Sequence, residues 1–117
     1  VALNEAYETL NDPLKRATYL LRLKGVQSEA SADKTINDPA LLMEAMEKRE
    51  ALAEAESADA IEELMVGAAA GAIQLLSDIS LAFAADDLVA ANRAVLRLKY
   101  LRKFLEEARL RRAALES

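Results

Sequence analysis

The chain has 117 residues and a mass of 12.7 kDa, enough for one ordinary domain with at most a small appendage. Hydrophobic residues make up 53% and aromatic residues only 4%, which excludes a disordered tail and favours helices over strands. There is no His and no Cys, so histidine or cysteine catalysis, disulfides and an ordinary zinc site are excluded. We expect no enzyme, cofactor or metal, and the net charge of -5 argues against binding nucleic acid or an anionic membrane.

Residues 1–25 form the first unit of the sequence. Apolar side chains at helical spacing predict a helix that ends near Leu10, and the run Asn11-Asp12-Pro13 predicts a break followed by a second short helix. Gly25 suits the left-handed stop of that helix. We therefore expect a short helical hairpin, followed by a linker over residues 26–37. Since the chain opens on Val1 and not on Met, we expect a fragment or a processed product.

Residues 38–117 predict three long helices. Asp38-Pro39 is a cap-and-proline signal for a helix from Ala40 to about Glu56, and a second helix is expected from about Asp59 to Ala84. Asp86 or Asp87 caps a third helix that continues to about Leu115. Because the connections are too short for crossovers, the predicted fold is an all-α antiparallel three-helix bundle preceded by the helical hairpin.

Each long helix has an apolar face that predicts its buried side. In the first helix this face comprises Leu41, Ala45, Leu52 and Ala55. In the second it comprises Ile61, Leu64, Met65, Ala68, Ala72, Leu75, Leu76, Ile79 and Phe83. In the third, a heptad seam contains Ala91, Ala94, Leu98, Leu101, Leu105 and Ala108. The uncharged run from Leu64 to Ser77 is shorter than a membrane span and predicts a buried helix.

The charges of the first and third helices are opposite. The stretch from Asp38 to Glu63 contains nine acidic and two basic residues, and the stretch from Arg93 to Arg112 contains eight basic and two acidic ones. In an up-down-up bundle these two helices run parallel and adjacent, so we expect them to attract each other.

The first long helix has more apolar residues than one buried face needs. Leu42 and Met46 lie about 100° from the face that starts at Leu41, and Met43 lies about 200° from it. A surplus apolar patch that contains methionines suits a protein-binding surface. Wider burial of the helix near its N-terminus is the alternative.

Two further features are candidates for binding, an acidic ridge near this patch and a tyrosine on the last helix. Glu47, Glu50 and Glu54 form an acidic ridge, which is either a solvated face or a contact for a basic partner. Tyr100 lies off the heptad seam and is either an exposed interface anchor or a cover for the seam edge.

Two other patterns indicate alternative functions. The spacing of Gly67 and Gly71 is typical of close helix packing and would serve a structural module that only oligomerises. The basic run from Arg93 to Arg112 could follow a phosphate backbone, but Glu106 and Glu107 interrupt it, which disfavours a nucleic-acid adaptor.

The segments in order resemble the HscB family, the J-type co-chaperones of iron–sulfur cluster assembly. The run LNEAYETLNDPLKRA (Leu3–Ala17) and the run YLLRLKG (Tyr19–Gly25) look like the last part of the J-domain of that family. The run DPALLME (Asp38–Glu44), together with Arg49-Glu50, resembles the start of its C-terminal three-helix domain. The run RLKYL (Arg97–Leu101) resembles its closing helix.

The resemblance implies a cytoplasmic bacterial adaptor, or one of the mitochondrial matrix, in which the bundle binds the scaffold protein IscU. The J-domain of such proteins docks on a DnaK-type ATPase chaperone, HscA, and stimulates its hydrolysis. By position, the resemblance implies a scaffold-binding surface of Leu42, Met43, Met46, Glu47, Glu50, Glu54 and Tyr100. The His-Pro-Asp signature of the family, which precedes the region matching Val1, is absent, so these 117 residues cannot make the contact that stimulates ATP hydrolysis.

Overall fold

The structure of the chain is a computed structural model that describes residues 2–25 and 38–116, with side chains from Pro13 onward in the first range. It contains four helices in these ranges, α1 (Ala2–Leu23), α2 (Pro39–Glu54), α3 (Ala58–Ala84) and α4 (Leu88–Glu116). Neither described range contains a strand, and the predicted all-α class is confirmed. The predicted linker over residues 26–37 lies outside the described residues.

The first unit differs from the prediction because α1 is one continuous helix. Pro13 lies inside α1, so the predicted break at Asn11-Asp12-Pro13, and with it the two short helices, is wrong. A proline removes one intrahelical hydrogen bond, and here the burial of Leu14, Ala17 and Leu21 against the other helices compensates for that loss. The predicted stop is present, since Gly25 has a φ of 82° just after the helix.

α3 and α4 form an antiparallel hairpin that contains most of the core. All six residues of the predicted seam of α4 are buried. Val95, Leu96 and Phe104 are buried as well. The reason is that α4 contacts α1, α2 and α3, so more of its circumference is covered than the single face that a heptad seam describes. In the turn before α4, Asp86 has a left-handed φ of 56°, and Asp87 is the capping residue, accepting a hydrogen bond from the backbone of Ala90 at 3.1 Å.

α2 lies beside α4 in the predicted parallel arrangement. Ion pairs join Asp38 to Arg93, Glu44 to Arg97 and Arg49 to Glu107, so residue numbers rise in the same direction along both helices. The predicted attraction between the acidic and basic helices is confirmed. Each exposed pair contributes about 0–1 kcal/mol, so the set fixes the register of α2 more than it stabilises the fold.

α1 packs on a different side of the α3–α4 hairpin. Its buried face rests on both helices, and the Lys24 ammonium lies 3.3 Å from the Asp86 carboxylate at the turn between them. The end of α1 is thereby placed at the α3–α4 turn.

α3 has the length and composition of a helix that could cross a membrane. In the structure it is a core helix of the bundle, with seven buried residues: Ile61, Met65, Ala68, Ala69, Ala72, Leu75 and Ile79. Its ends carry acidic residues, with Asp59 in the first turn and Asp78 near the other end. The predicted buried helix therefore has its expected place in the core.

The central position of α4 predicts a large cost for a cavity at Leu98, which is 0% exposed. We expect Leu98→Ala to lower the free energy of unfolding by about 2–5 kcal/mol, because the substitution removes buried apolar atoms and leaves a cavity that the surrounding side chains fill only in part. Urea denaturation followed by circular dichroism measures this change. Leu110→Ala, on the exposed side of the same helix, is the matched control and should change the value by less than about 0.5 kcal/mol; equal losses in both variants would contradict this packing.

Candidate functional site

Both ends of α2 are fixed by arginines of α4. At the start, one oxygen of Asp38 accepts hydrogen bonds from the backbone of Ala40 and Leu41 at 3.1 and 3.3 Å, and the other oxygen pairs with Arg93 at 3.1 Å. At the end, the Arg111 guanidinium donates to the carbonyl oxygens of Ala53 and Ala55, both at 3.2 Å. These contacts satisfy backbone groups that every helix terminus leaves without an intrahelical partner. The predicted cap at Asp38 is confirmed, and it also positions α2 on α4.

Two ion pairs fix the middle of α2. The Arg97 guanidinium donates to both oxygens of Glu44: Nε lies 3.3 Å from Oε1 and 3.2 Å from Oε2, and Nη2 lies 2.9 Å from Oε2. The Arg49 guanidinium donates to Glu107 at 2.9 Å, and this hydrogen bond and the charge of Glu107 raise the pKa of Arg49 above its usual range. The rotation of α2 about its own axis is therefore set along its whole length.

This rotation leaves the surplus apolar patch on the surface. Leu41 is only 4% exposed, whereas Leu42, Met43 and Met46 are 44%, 63% and 54% exposed. The alternative of wider burial at the start of the helix therefore does not hold. An apolar cluster of this kind on a helix that is held at both ends is a candidate protein-binding surface.

The acidic ridge lies on the same outward side of α2. Glu47, Glu50 and Glu54 are all exposed, and none of them forms an ion pair with another described residue. Glu44, by contrast, faces α4 and is paired. Among the side chains described, no group of three or more carboxylates is arranged to hold a metal ion. The ridge therefore presents free negative charge beside the apolar patch.

Tyr100 is half-buried, which lies between the two alternatives of an exposed anchor and a cover for the seam edge. Its position on α4 lies between Arg97, which pairs with Glu44, and Glu107, which pairs with Arg49. Tyr100 is thus level with the turn of α2 that carries Met46. A half-buried tyrosine has an apolar ring supported by the bundle and a hydroxyl within reach of solvent, which is the usual form of an interface anchor.

The glycine pair does not mark close helix packing. A Cβ at Gly67 would meet no atom within 4 Å, and one at Gly71 would meet only the Cδ1 of Leu101, at 3.7 Å. Both glycines line an open groove between α2 and α3, together with Glu44, Lys48 and Ala68. The expectation of tight packing at these positions is therefore wrong, because α2 leans on α4 and leaves α3 partly uncovered.

A second feature, an open pocket of about 400 Å³ between α1 and α4, was not predicted from the sequence. We call it the cationic pocket, and it is lined by Leu14, Lys15, Thr18, Tyr19, Arg22, Lys99 and Arg102. The spacing of Lys15 and Arg22 by seven residues placed them on one face of α1, but no pattern indicated which part of the bundle that face would meet.

Comparisons with known proteins give a consistent picture. The family described as "HSCB C-terminal oligomerisation domain" matches residues 37–109, which is more than half of the chain. A protein of Ralstonia nicotianae named "Co-chaperone protein HscB homolog" is 54% identical over 65 residues, covering 53% of this chain and 36% of that protein. A protein of Burkholderia thailandensis with the same name is 54% identical over 61 residues, covering 52% of this chain and 34% of that protein. The match thus spans about a third of the length of these relatives, and no solved structure was found to match.

The two adjacent leucines of α2 test the rotation of this helix. We expect Leu41→Ala to lower the free energy of unfolding by about 2–5 kcal/mol, because it empties a buried site. Leu42→Ala removes a side chain that is largely in solvent and should change it by less than about 0.5 kcal/mol. Chemical denaturation measures both values. Similar losses in the two variants would mean that α2 buries both leucines and that the apolar patch is part of the core.

Proposed function

Because this chain belongs to the HscB C-terminal domain family, we propose that it is a co-chaperone adaptor of iron–sulfur cluster assembly. In this proposal its bundle binds an IscU-type scaffold protein through the outward face of α2. The proposal rests on the match between the residues that the resemblance implies and the side of α2 that the structure exposes. The residues that the resemblance implies for scaffold binding on α2 all lie on one solvent-facing side of that helix.

The apolar patch supplies the core of the proposed contact. Leu42, Met43 and Met46 expose apolar surface whose burial against a partner would be favourable, and methionine adapts its shape to irregular surfaces. In this proposal Tyr100 contributes a half-buried ring on α4, level with the turn of α2 that carries Met46. Because α2 is already ordered by its ion pairs and caps, binding would cost little conformational entropy in the backbone.

The acidic ridge supplies charge around this core. Glu47, Glu50 and Glu54 are exposed and have no ion-pair partner among the described residues, so they are available to a basic rim on the scaffold. Exposed charges at the edge of an interface act mainly on the rate of association and on the choice of partner. The proposed surface therefore combines an apolar centre with a steering acidic rim.

In the complete protein, the proposed adaptor delivers the scaffold to the DnaK-type chaperone HscA and stimulates its ATPase. The chain contains no histidine and therefore no His-Pro-Asp signature, so the proposal does not assign this second activity to the residues of this sequence. The role of the present residues is binding, without covalent chemistry of their own. The relatives are bacterial proteins, and we place the adaptor in the bacterial cytoplasm.

Oligomerisation is the second candidate function, because the description of the matching family names it. The structure offers a surface for this role on α3, where Val66 and Ile73 are exposed on a stretch of the helix without charges. Sedimentation equilibrium over a wide range of concentrations separates the two candidates. A mass that stays at one chain throughout excludes oligomerisation as the function, while a mass that rises with concentration supports it.

Calorimetric titration with the IscU-type scaffold tests the proposed binding surface. We expect saturable binding that Leu42→Ala and Tyr100→Ala each weaken by about 1 kcal/mol or more, roughly fivefold or more in Kd, because they remove anchors of the contact. Val89→Ala, which truncates an exposed apolar side chain at the start of α4, is the matched control and should leave Kd unchanged. Absence of binding by the folded chain, or equal weakening in the control, would contradict the assignment.

The acidic ridge is tested by association kinetics. We expect Glu50→Gln to slow association with the scaffold several-fold at low salt, and we expect the difference to fade as salt is added, because the charge acts over a screened distance. Stopped-flow fluorescence at two salt concentrations measures this. Glu62→Gln, on the α3 side of the bundle, is the control; an association rate that is insensitive to Glu50 would remove the ridge from the proposed surface.

A further inference from the structure

The cationic pocket lies on the flank of α4 opposite to α2. Lys99 follows Arg97 by two residues, so by helical pitch the two side chains point about 200° apart around α4. Arg97 faces α2, where it pairs with Glu44, whereas Lys99 lines the pocket shared with α1. The pocket is therefore separate from the proposed scaffold-binding face and is not explained by it.

Three of the positive charges that line this pocket, those of Lys15, Arg22 and Lys99, have no ion-pair partner within the described part of the chain. On the other flank of α4, Arg93 and Arg97 each have a carboxylate partner. In the pocket, no described residue forms an ion pair with Lys15, Arg22 or Lys99. This is notable in a chain in which acidic residues outnumber basic ones by 20 to 15. The packing of α1 on α4 thus gathers like charges that repel one another unless an anionic group lies between them.

The distance between the positive charges of the pocket indicates the kind of ligand that it fits. Lys15 and Arg22 are seven residues apart on α1, so their backbones are separated by about 10.5 Å along the helix. Charges spread over this distance match a series of carboxylates along a chain better than they match one compact anion. Tyr19 and Leu23 lie beside them on α1 and are 57% and 64% exposed, so apolar surface is available next to the positive charge.

We propose that the cationic pocket is a docking site for an acidic, partly apolar segment of a partner protein, held along the seam between α1 and α4. The carboxylates of this segment pair with Lys15, Arg22 and Lys99, and its apolar side chains pack on Tyr19 and Leu23. Because α2 lies on the opposite flank of α4, such a partner can bind while the outward face of α2 is occupied.

The probe for this site is a fluorescein-labelled synthetic peptide of about twelve residues in which glutamates alternate with leucines and alanines, long enough to span both cations. Fluorescence anisotropy at low salt measures its Kd for the full chain. We expect Lys15→Glu combined with Arg22→Glu to weaken binding about tenfold, because two attractive contacts become repulsive. The matched control is Arg16→Glu combined with Lys103→Glu, which changes the net charge equally at exposed positions outside the pocket and should change Kd by less than about twofold.

Each remaining outcome decides against the proposal. Absence of peptide binding by the unaltered chain, or equal loss in the pocket and control variants, would show that no specific site exists there. Tighter binding of inorganic tripolyphosphate or of duplex DNA, with the same sensitivity to Lys15 and Arg22, would replace the acidic segment by a phosphate ligand. Circular dichroism checks that each variant is folded. If the charge-reversed double variant does not fold, the neutral double variant Lys15→Gln with Arg22→Gln takes its place. Full affinity for the peptide in this neutral variant would overturn the proposal.

Discussion

The parallel attachment of α2 to α4 is the constraint on which both the fold and the candidate site depend. Arg93, Arg97 and Arg111 of α4 bind the start, the middle and the end of α2. No single pair among exposed charges is strong, but together they fix the register and the rotation of α2. That rotation decides which of two neighbouring leucines, Leu41 or Leu42, enters the core and which faces solvent. The candidate surface is therefore a consequence of how α2 is held.

α4 organises the molecule because it contacts each of the other described helices. One flank carries Arg93 and Arg97, whose charges are paired inside the fold, whereas Lys99 on the opposite flank lines the cationic pocket and has no ion-pair partner among the described residues. The basic run of the sequence therefore contains residues with different roles, since Arg93, Arg97 and Arg111 hold α2 and Lys99 lines the cationic pocket. The proposed scaffold and the proposed acidic segment would lie on opposite sides of α4, so neither would have to displace the other.

Much of the architecture was predictable because it depends on local signals. Asp38 and Asp87 cap helices, and the heptad seam of α4 is buried as its spacing predicts. Pro13 was misread, because a local rule for helix breaks cannot include the packing of the residues that follow it. Gly67 was misread for a related reason, since small residues permit close packing but do not require it. The exposed side of α2 was predictable from a surplus of apolar residues, whereas the sequence left open whether Tyr100 is exposed or covers the edge of the seam.

The sequence by itself determined the helical class, the caps, the buried faces of the three long helices and the opposite charges that align α2 with α4. These properties follow from the periodicity of side chains along a helix and from the chemistry of helix ends, both of which act over a few residues. Only the tertiary structure decided where α1 docks, which cations are paired, and which positions line the cationic pocket. Those outcomes depend on contacts between residues that are distant in the chain, and helical spacing fixes the direction of a side chain but not the neighbour that it meets.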